Sequence, residues 1–453
     1  MKSLFKMCFL LLLLGQTVTA GATTVTNIAA GYYHNLFIKS DGSLWAFGND
    51  SVGQLGDGNY GNKYRPEQIL ASGVRGVASG GYQSLFVKSD GSLWGMGVNN
   101  YGQLGDGTFN NPNRPELLIP GGVKAVSGGD SHSLVLKSDG SLWGMGLNNW
   151  GQLGDGTYNN TNLPELIVAS NVVALATGLK FNHSLFIKSD GSLWGMGANF
   201  TGQLGDGTYN LTNLPEQIVA SGVVAAAAGN GHSLFIKTNG SLWAMGQNDS
   251  GQLGNGTYTM TNRPVQIVAS NVVAVAAGRQ HSLFLKSDGS LWAMGWNGNG
   301  QLGDGTLLST NRPELIVSSN VVAVAGGHDH SLFLKRDGSL WTMGSNGWGQ
   351  LGDGFVDNTS PYGSLVPGQV VPTPQSILTN SLVAKTNMQF QAACQFGGIF
   401  YLLASTNPSA LPGQWIGVAT NTVSKRTNNI YYTILTNEIR AGTDQRFYRL
   451  QGQ

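Results

Sequence analysis

His281-Ser282-Leu283-Phe284-Leu285-Lys286-Ser287-Asp288-Gly289-Ser290-Leu291-Trp292-Ala293-Met294-Gly295 is the stretch that decides the fold of this chain. Two short apolar runs flank an Asp-Gly pair, and glycine takes the φ > 0 position of a tight hairpin turn. The stretch predicts two antiparallel strands, Ser282 to Lys286 and Leu291 to Gly295. Upstream, Val272-Val273-Ala274-Val275-Ala276-Ala277 is β-branched and small, which predicts another strand. Downstream, a Gly/Asn-rich loop through Gly300-Gln301-Leu302-Gly303-Asp304-Gly305 leads to a fourth, Pro313-Glu314-Leu315-Ile316-Val317. Its proline stands at a strand start, where a missing N–H is tolerated.

The same unit recurs. The tryptophan of Ser-Leu-Trp falls at Trp45, Trp94, Trp143, Trp194, Trp243, Trp292 and Trp341, in steps of 49, 49, 51, 49, 49 and 49. GQLGDG, once GQLGNG, keeps the same phase from Gly53 to Gly349. Each copy is a meander too thin to bury both its faces. Its middle strands are apolar on both sides, so they must be sandwiched between neighbours. Radial stacking of seven copies achieves this and protects most strand edges. An open solenoid is the alternative stacking. The expected fold is all-β, a seven-bladed β-propeller of four-stranded antiparallel blades over residues 23–371. The first strand, with small side chains, is expected at the crowded centre, and the repeated tryptophans in the inter-blade core.

Composition agrees with turn-rich β structure. Glycine is 67 of 453 residues, and glycine at helix positions costs about 1 kcal/mol each. Charged residues make up 11% and the net charge is +1. No basic field exists to attract nucleic acid or an anionic membrane.

Lys2 and Lys6 precede the apolar run Met7 to Leu14, and small residues follow at Val18, Ala20 and Ala22. This predicts a secretory signal peptide over 1–22, hence a secreted, periplasmic or cell-surface protein. No stretch of about 18 apolar residues predicts a transmembrane segment. Cys8 lies in the signal, leaving Cys394 alone, so no internal disulfide is expected. Residues 372–453 change to an Asn/Thr/Gln-rich composition. They read as a small C-terminal β-sandwich-like module, with Cys394 on the apolar face of a strand.

The repeated pattern GxxHSLFLKSDGSLWAMGxNxxGQLGDG resembles the regulator-of-chromosome-condensation repeat family. The resemblance covers about three-quarters of the chain and implies a seven-bladed propeller. It also implies interaction chemistry. The best-known member is a nuclear exchange factor for the GTPase Ran that docks on chromatin, and secreted bacterial relatives include β-lactamase inhibitors. This chain has an export-type start, near-neutral charge and no basic tail, so it resembles the secreted type and exchange activity is not carried over.

Six histidines, His34, His132, His183, His232, His281 and His330, share one repeat position, with Gln83 in the remaining copy. A side chain present in every blade is expected to tie strands to a neighbouring loop or blade rather than to catalyse. His328-Asp329-His330 holds ligand-type residues, but nothing requires them to face one way. The Asp-Gly pairs, such as Asp155-Gly156, lack the alternating acidic run of a calcium loop and read as aspartates capping their own turns. No nucleophile elbow, zinc helix motif or phosphate loop occurs. The expectation is a non-enzyme with no cofactor and no metal.

Function is therefore expected where the copies differ. Loops joining strands one to two and three to four emerge on one face, and that face varies. It carries Tyr33, Tyr82, Tyr101, Trp150, Phe181, Phe200, Trp296 and Trp348. Exposed aromatics are enriched at binding hot spots. They either contact a partner or pack between loops and cap the blades. The readings that follow are a protein-binding scaffold, a glycan-binding module, or Ran-type exchange.

Overall fold

The computed structural model describes residues 23–180, 182–356 and 363–370, and six strands between Met388 and Gly452. The expected signal, 1–22, lies outside them. Every regular element among the described residues is a strand, and no helix is long and apolar enough to cross a membrane.

Seven four-stranded antiparallel sheets follow one another along the chain, each in simple sequential order. Blade 6 is typical, with strands Val272–Ala277, His281–Lys286, Leu291–Gly295 and Thr310–Val317. Its hairpin pairs Phe284 with Trp292, and Gly289 occupies the turn at φ 80°. A Cβ at that position would also press on the backbone of Asn320 in the next blade, so glycine is required twice over. The other blades span 25–70, 74–119, 123–168, 172–219, 223–268 and 321–369. The first strands touch one another in a closed ring, blade 7 meeting blade 1. Their alanines and glycines allow this close approach, as their composition predicts. Closure excludes the open solenoid.

Hydrophobic packing lies between the blades. Seven buried clusters each draw on two adjacent sheets, for example Leu134, Leu136 and Leu142 of blade 3 against Val172, Phe186 and Met196 of blade 4. The repeated tryptophans are not the centre of these clusters, contrary to expectation. Each is only partly buried. In six blades the buried ring is the cross-strand phenylalanine, on which the indole stacks, Phe186 and Trp194 lying 6.2 Å apart and 7° from parallel, while in blade 3 Val135 stands opposite Trp143. Lys188 covers the other side, its Nζ 4.1 Å from the ring centre, and the indole N–H donates to Ser192. The tryptophan thus seals the blade edge against water.

The outer strand of blade 7 is Gly363–Gln369. Trp341 pairs with Gln369 and Ser345 with Gly363. Both terminal blades are therefore built from continuous chain, with no strand exchanged between them. Beyond the propeller, Met388–Cys394, Ile430–Asn437 and Lys425–Thr427 form one three-stranded sheet, and Ile416–Thr422, Ile399–Ser405 and Phe447–Gly452 another. The side chain of Cys394 lies outside the described residues.

Candidate partner-binding face

A rigid platform underlies the variable loops, and the repeated histidines build it. Each imidazole reaches into the following blade. His183 Nε2 of blade 4 meets Ser233 Oγ of blade 5 at 2.9 Å, and the same hydroxyl donates back to the backbone carbonyl of Gln203 in blade 4 at 2.7 Å. Because the serine proton is committed to the carbonyl, the imidazole must donate from Nε2. His34, His132, His232 and His281 repeat the arrangement. Gln83 substitutes by donating to the Gly129 carbonyl at 2.9 Å. Full burial pushes all six imidazoles down, to about 3 or 4, so they are neutral at neutral pH. His330 is committed to Asn35, whereas His328 bonds Asp329 at 2.8 Å, so the His328-Asp329-His330 run serves two separate structures.

Above this platform the first-to-second strand loops converge on the mouth of the central channel. Backbone bonds join several of them, including His328 N to the Tyr32 carbonyl and Tyr32 N to that of Gly81. Tyr32 crosses the mouth. Its hydroxyl, from blade 1, donates to the Leu179 carbonyl of blade 4 at 2.8 Å. Burial, and then the neighbouring Asp130, hold its phenol well above the usual range. Burial also pushes Asp130 up. At Asp329 burial acts upward too, but His328 and Arg279 outweigh it and hold the carboxylate down. Arg279 lies 3.7 Å from it.

Aromatic rings surround this plug. Tyr33 packs against Tyr82 at 6.2 Å, His328 at 5.4 Å and Trp348 at 6.1 Å. Tyr32 meets Tyr82 at 5.4 Å and His328 at 4.9 Å. Three of the expected residues, Tyr33, Tyr82 and Trp348, are thus brought together from blades 1, 2 and 7. Tyr32 and His328 complete the cluster; their place in the same variable loops was the available signal. Tyr33 and Tyr82 are half-buried and Trp348 is 44% exposed. Trp150 and Phe200 form a second, edge-to-face pair at 5.1 Å across blades 3 and 4. Tyr101 and Trp296 stand exposed and separate. Trp296 folds back over Gly298, where a Cβ would strike its indole. Phe181 lies outside the described residues. Among the described residues no cluster of three or more His, Cys, Asp or Glu side chains is placed to hold a metal.

The Regulator of chromosome condensation (RCC1) repeat matches residues 41–87, 90–136, 139–185, 190–236, 239–285 and 288–334. A second description of this repeat matches 25–54, 74–103, 123–152, 223–252, 272–301 and 321–350. Among solved structures, human WBSCR16 is 25% identical with a TM-score of 0.63, over 73% of this chain and 94% of that one. Yeast RCC1 (Prp20) bound to Kap60 is 21% identical with a TM-score of 0.64, over 78% and 85%. Prp20p from Saccharomyces cerevisiae, described with its binding to Gsp1p and histones, is 20% identical with a TM-score of 0.65, over 79% and 90%. The repeats, the seven blades and these likenesses agree, and the chain belongs to the Regulator of chromosome condensation (RCC1) repeat family.

Proposed function

We propose that this protein is an exported, protein-binding scaffold that engages its partner through the loop face around Tyr33, Tyr82 and Trp348. The observation that carries the reading is the meeting of aromatic side chains from three blades at the channel mouth. Trp348 is their exposed member. An aromatic ring held in place by neighbours loses little freedom on binding, which favours affinity. The charged pair Arg279 and Asp329 at its edge supplies orientation. Solved members of the fold support a binding role: Prp20 was captured with Kap60, and Prp20p is described as binding Gsp1p and histones. Those partners belong to those proteins. Ran-type exchange is not part of the proposal.

The test is affinity capture from the medium around producing cells, with wild-type protein and Trp348→Ser side by side. The reading requires a protein that wild type retains and the variant loses. A nucleotide-release assay with Ran should show no acceleration.

A further inference from the structure

A second aromatic position recurs around the propeller, and the proposed face does not use it. Tyr60, Phe109, Tyr158, Tyr209 and Tyr258 each stand three residues after the Asp or Asn of the GQLGDG motif. Repeated positions usually serve the fold, yet these rings are 60%, 58%, 49%, 48% and 54% exposed. The fold does not need them. In blade 6 Leu307 takes the place, and its loop closes with the same hydrogen bonds.

In blades 2 to 5 two consecutive side-chain turns fix the ring at a loop tip, and in blade 1 a single turn, Asn59 N to Asp57, precedes Tyr60. In blade 3 Thr157 N donates to Asp155 Oδ1 at 2.8 Å, and Asn159 N donates to Thr157 Oγ1 at 3.1 Å. Buried Asn148 pins the loop from below, donating to Asp155 Oδ1 at 2.9 Å. Blades 4 and 5 repeat both turns around Tyr209 and Tyr258. The rings are thus presented in water on a pre-organised support, so binding does not have to order them.

Their surroundings define the ligand. Exposed amides and hydroxyls flank the rings, among them Asn59, Asn110, Asn159, Asn210 and Thr259. In blades 1 to 4 the tip carboxylate already accepts from its own turn, with Lys63 also paired to Asp57, and in blade 5 the amide of Asn255 takes its place. A flat apolar ring beside amides and hydroxyls suits a sugar, and in blades 1, 4 and 5 the guanidinium of Arg114, Arg263 or Arg312, close to the glycine two residues before the ring, adds further hydrogen-bond donors. The C–H face of a pyranose covers the ring while its hydroxyls reach the amides. Five aromatic stations in the successive blades 1 to 5 suit a ligand that repeats. We propose that the rim of this propeller is a carbohydrate-binding ring for a neutral polysaccharide. It stands apart from the protein-binding reading, because it uses different residues.

Affinity electrophoresis of the full chain tests it, in native gels containing hydroxyethyl cellulose, arabinoxylan, galactomannan or glycogen. At least one polymer should retard wild type. Tyr158→Ala with Tyr209→Ala and Tyr258→Ala should lower that association about tenfold or more, since multivalent avidity collapses when stations are lost together. Tyr158→Ala alone should lower it less than about threefold. The thermal midpoint of the triple variant should stay near wild type. Retardation by none of the four polymers overturns the proposal, and so does equal retardation of the triple variant. Flotation with phosphatidylcholine vesicles that the triple variant loses, without polymer binding, would assign the rim to a membrane surface instead.

Discussion

His330 of blade 7 approaches Oδ1 of Asn35 of blade 1 at 2.7 Å, and Nδ2 of that asparagine donates to the Gln350 carbonyl of blade 7 at 2.8 Å. Six blades carry serine where Asn35 stands. The amide performs both tasks of the serine hydroxyl, accepting from the imidazole and donating to the preceding blade. Because no strand is exchanged at the seam, this junction depends on side chains more than closure by a shared sheet would.

Asn35→Ala should therefore destabilise by about 2–4 kcal/mol, since it leaves an imidazole N–H and a carbonyl buried without partners. Asn35→Ser should lose clearly less. Chemical denaturation of the three proteins checks the order. Equal losses in the two variants would show that the seam is held by packing alone.

The histidine ring sets the acid limit. The folded imidazoles are pushed down to about 3 or 4, while unfolded histidine titrates near 6.5. The unfolded chain thus binds more protons below that value, and stability must fall as pH drops through 6.5 toward 4. With several such groups acting together, the denaturation midpoint should decline steeply between pH 6 and 4. Replacing His232 by Gln, the residue already used at position 83, should make that decline shallower by about one proton. A pH-independent midpoint across this window would contradict the buried neutral ring.

Phenylalanine, not tryptophan, should dominate the blade interface. Phe186→Ala is expected to cost about 3–5 kcal/mol, as fully buried large-to-small changes do. Trp194→Ala removes a half-buried ring and a cation–π contact with Lys188, and should cost about 1–3 kcal/mol. Thermal unfolding of both variants decides, and a greater loss for Trp194 would return the indole to the core.

Blade 1 departs from its siblings at Asp50. Elsewhere an asparagine accepts the motif leucine N–H and donates to the motif aspartate, as Asn148 does with Leu153 and Asp155. Asp50 accepts from Leu55 at 2.9 Å and, lacking an amide N–H, can share a proton with Asp57 only while its own carboxyl is protonated. Burial, with Asp57 nearby, pushes it up to about 7. At Asp57, burial acts upward, but Lys63 outweighs it and holds the group at about 2. A raised carboxyl favours folding only while protonated, so its contribution is lost as pH rises through about 7. Asp50→Asn should stabilise the protein, by about 1–3 kcal/mol at pH 8 and less at pH 5. Calorimetry at the two pH values gives the comparison; destabilisation at pH 8 would refute the shared-proton account.

The period of the tryptophans and the Asp-Gly turns made the blades legible, because turn chemistry and hydrophobic runs are local. The inter-blade role expected of the histidines was also legible, since a side chain repeated in each blade has a repeated task. The burial of Trp194 was not, because whether an indole is enclosed depends on Lys188 and Phe186 lying either side of it. The meeting of Tyr33 with Trp348 could not be read either. It joins residues from the two ends of the propeller and exists only once the ring has closed. The exposed ring of Tyr158 and its equivalents escaped for the opposite reason: repetition suggested a role in the fold, and only exposure separates it from one.

The most direct measurement is the affinity of the captured partner for wild type and Trp348→Ser, with a denaturation curve for each. The account predicts a loss of 30-fold or more, about 2 kcal/mol, with stability within about 1 kcal/mol of wild type. Unchanged affinity and unchanged stability would contradict it and move the binding site away from the channel mouth.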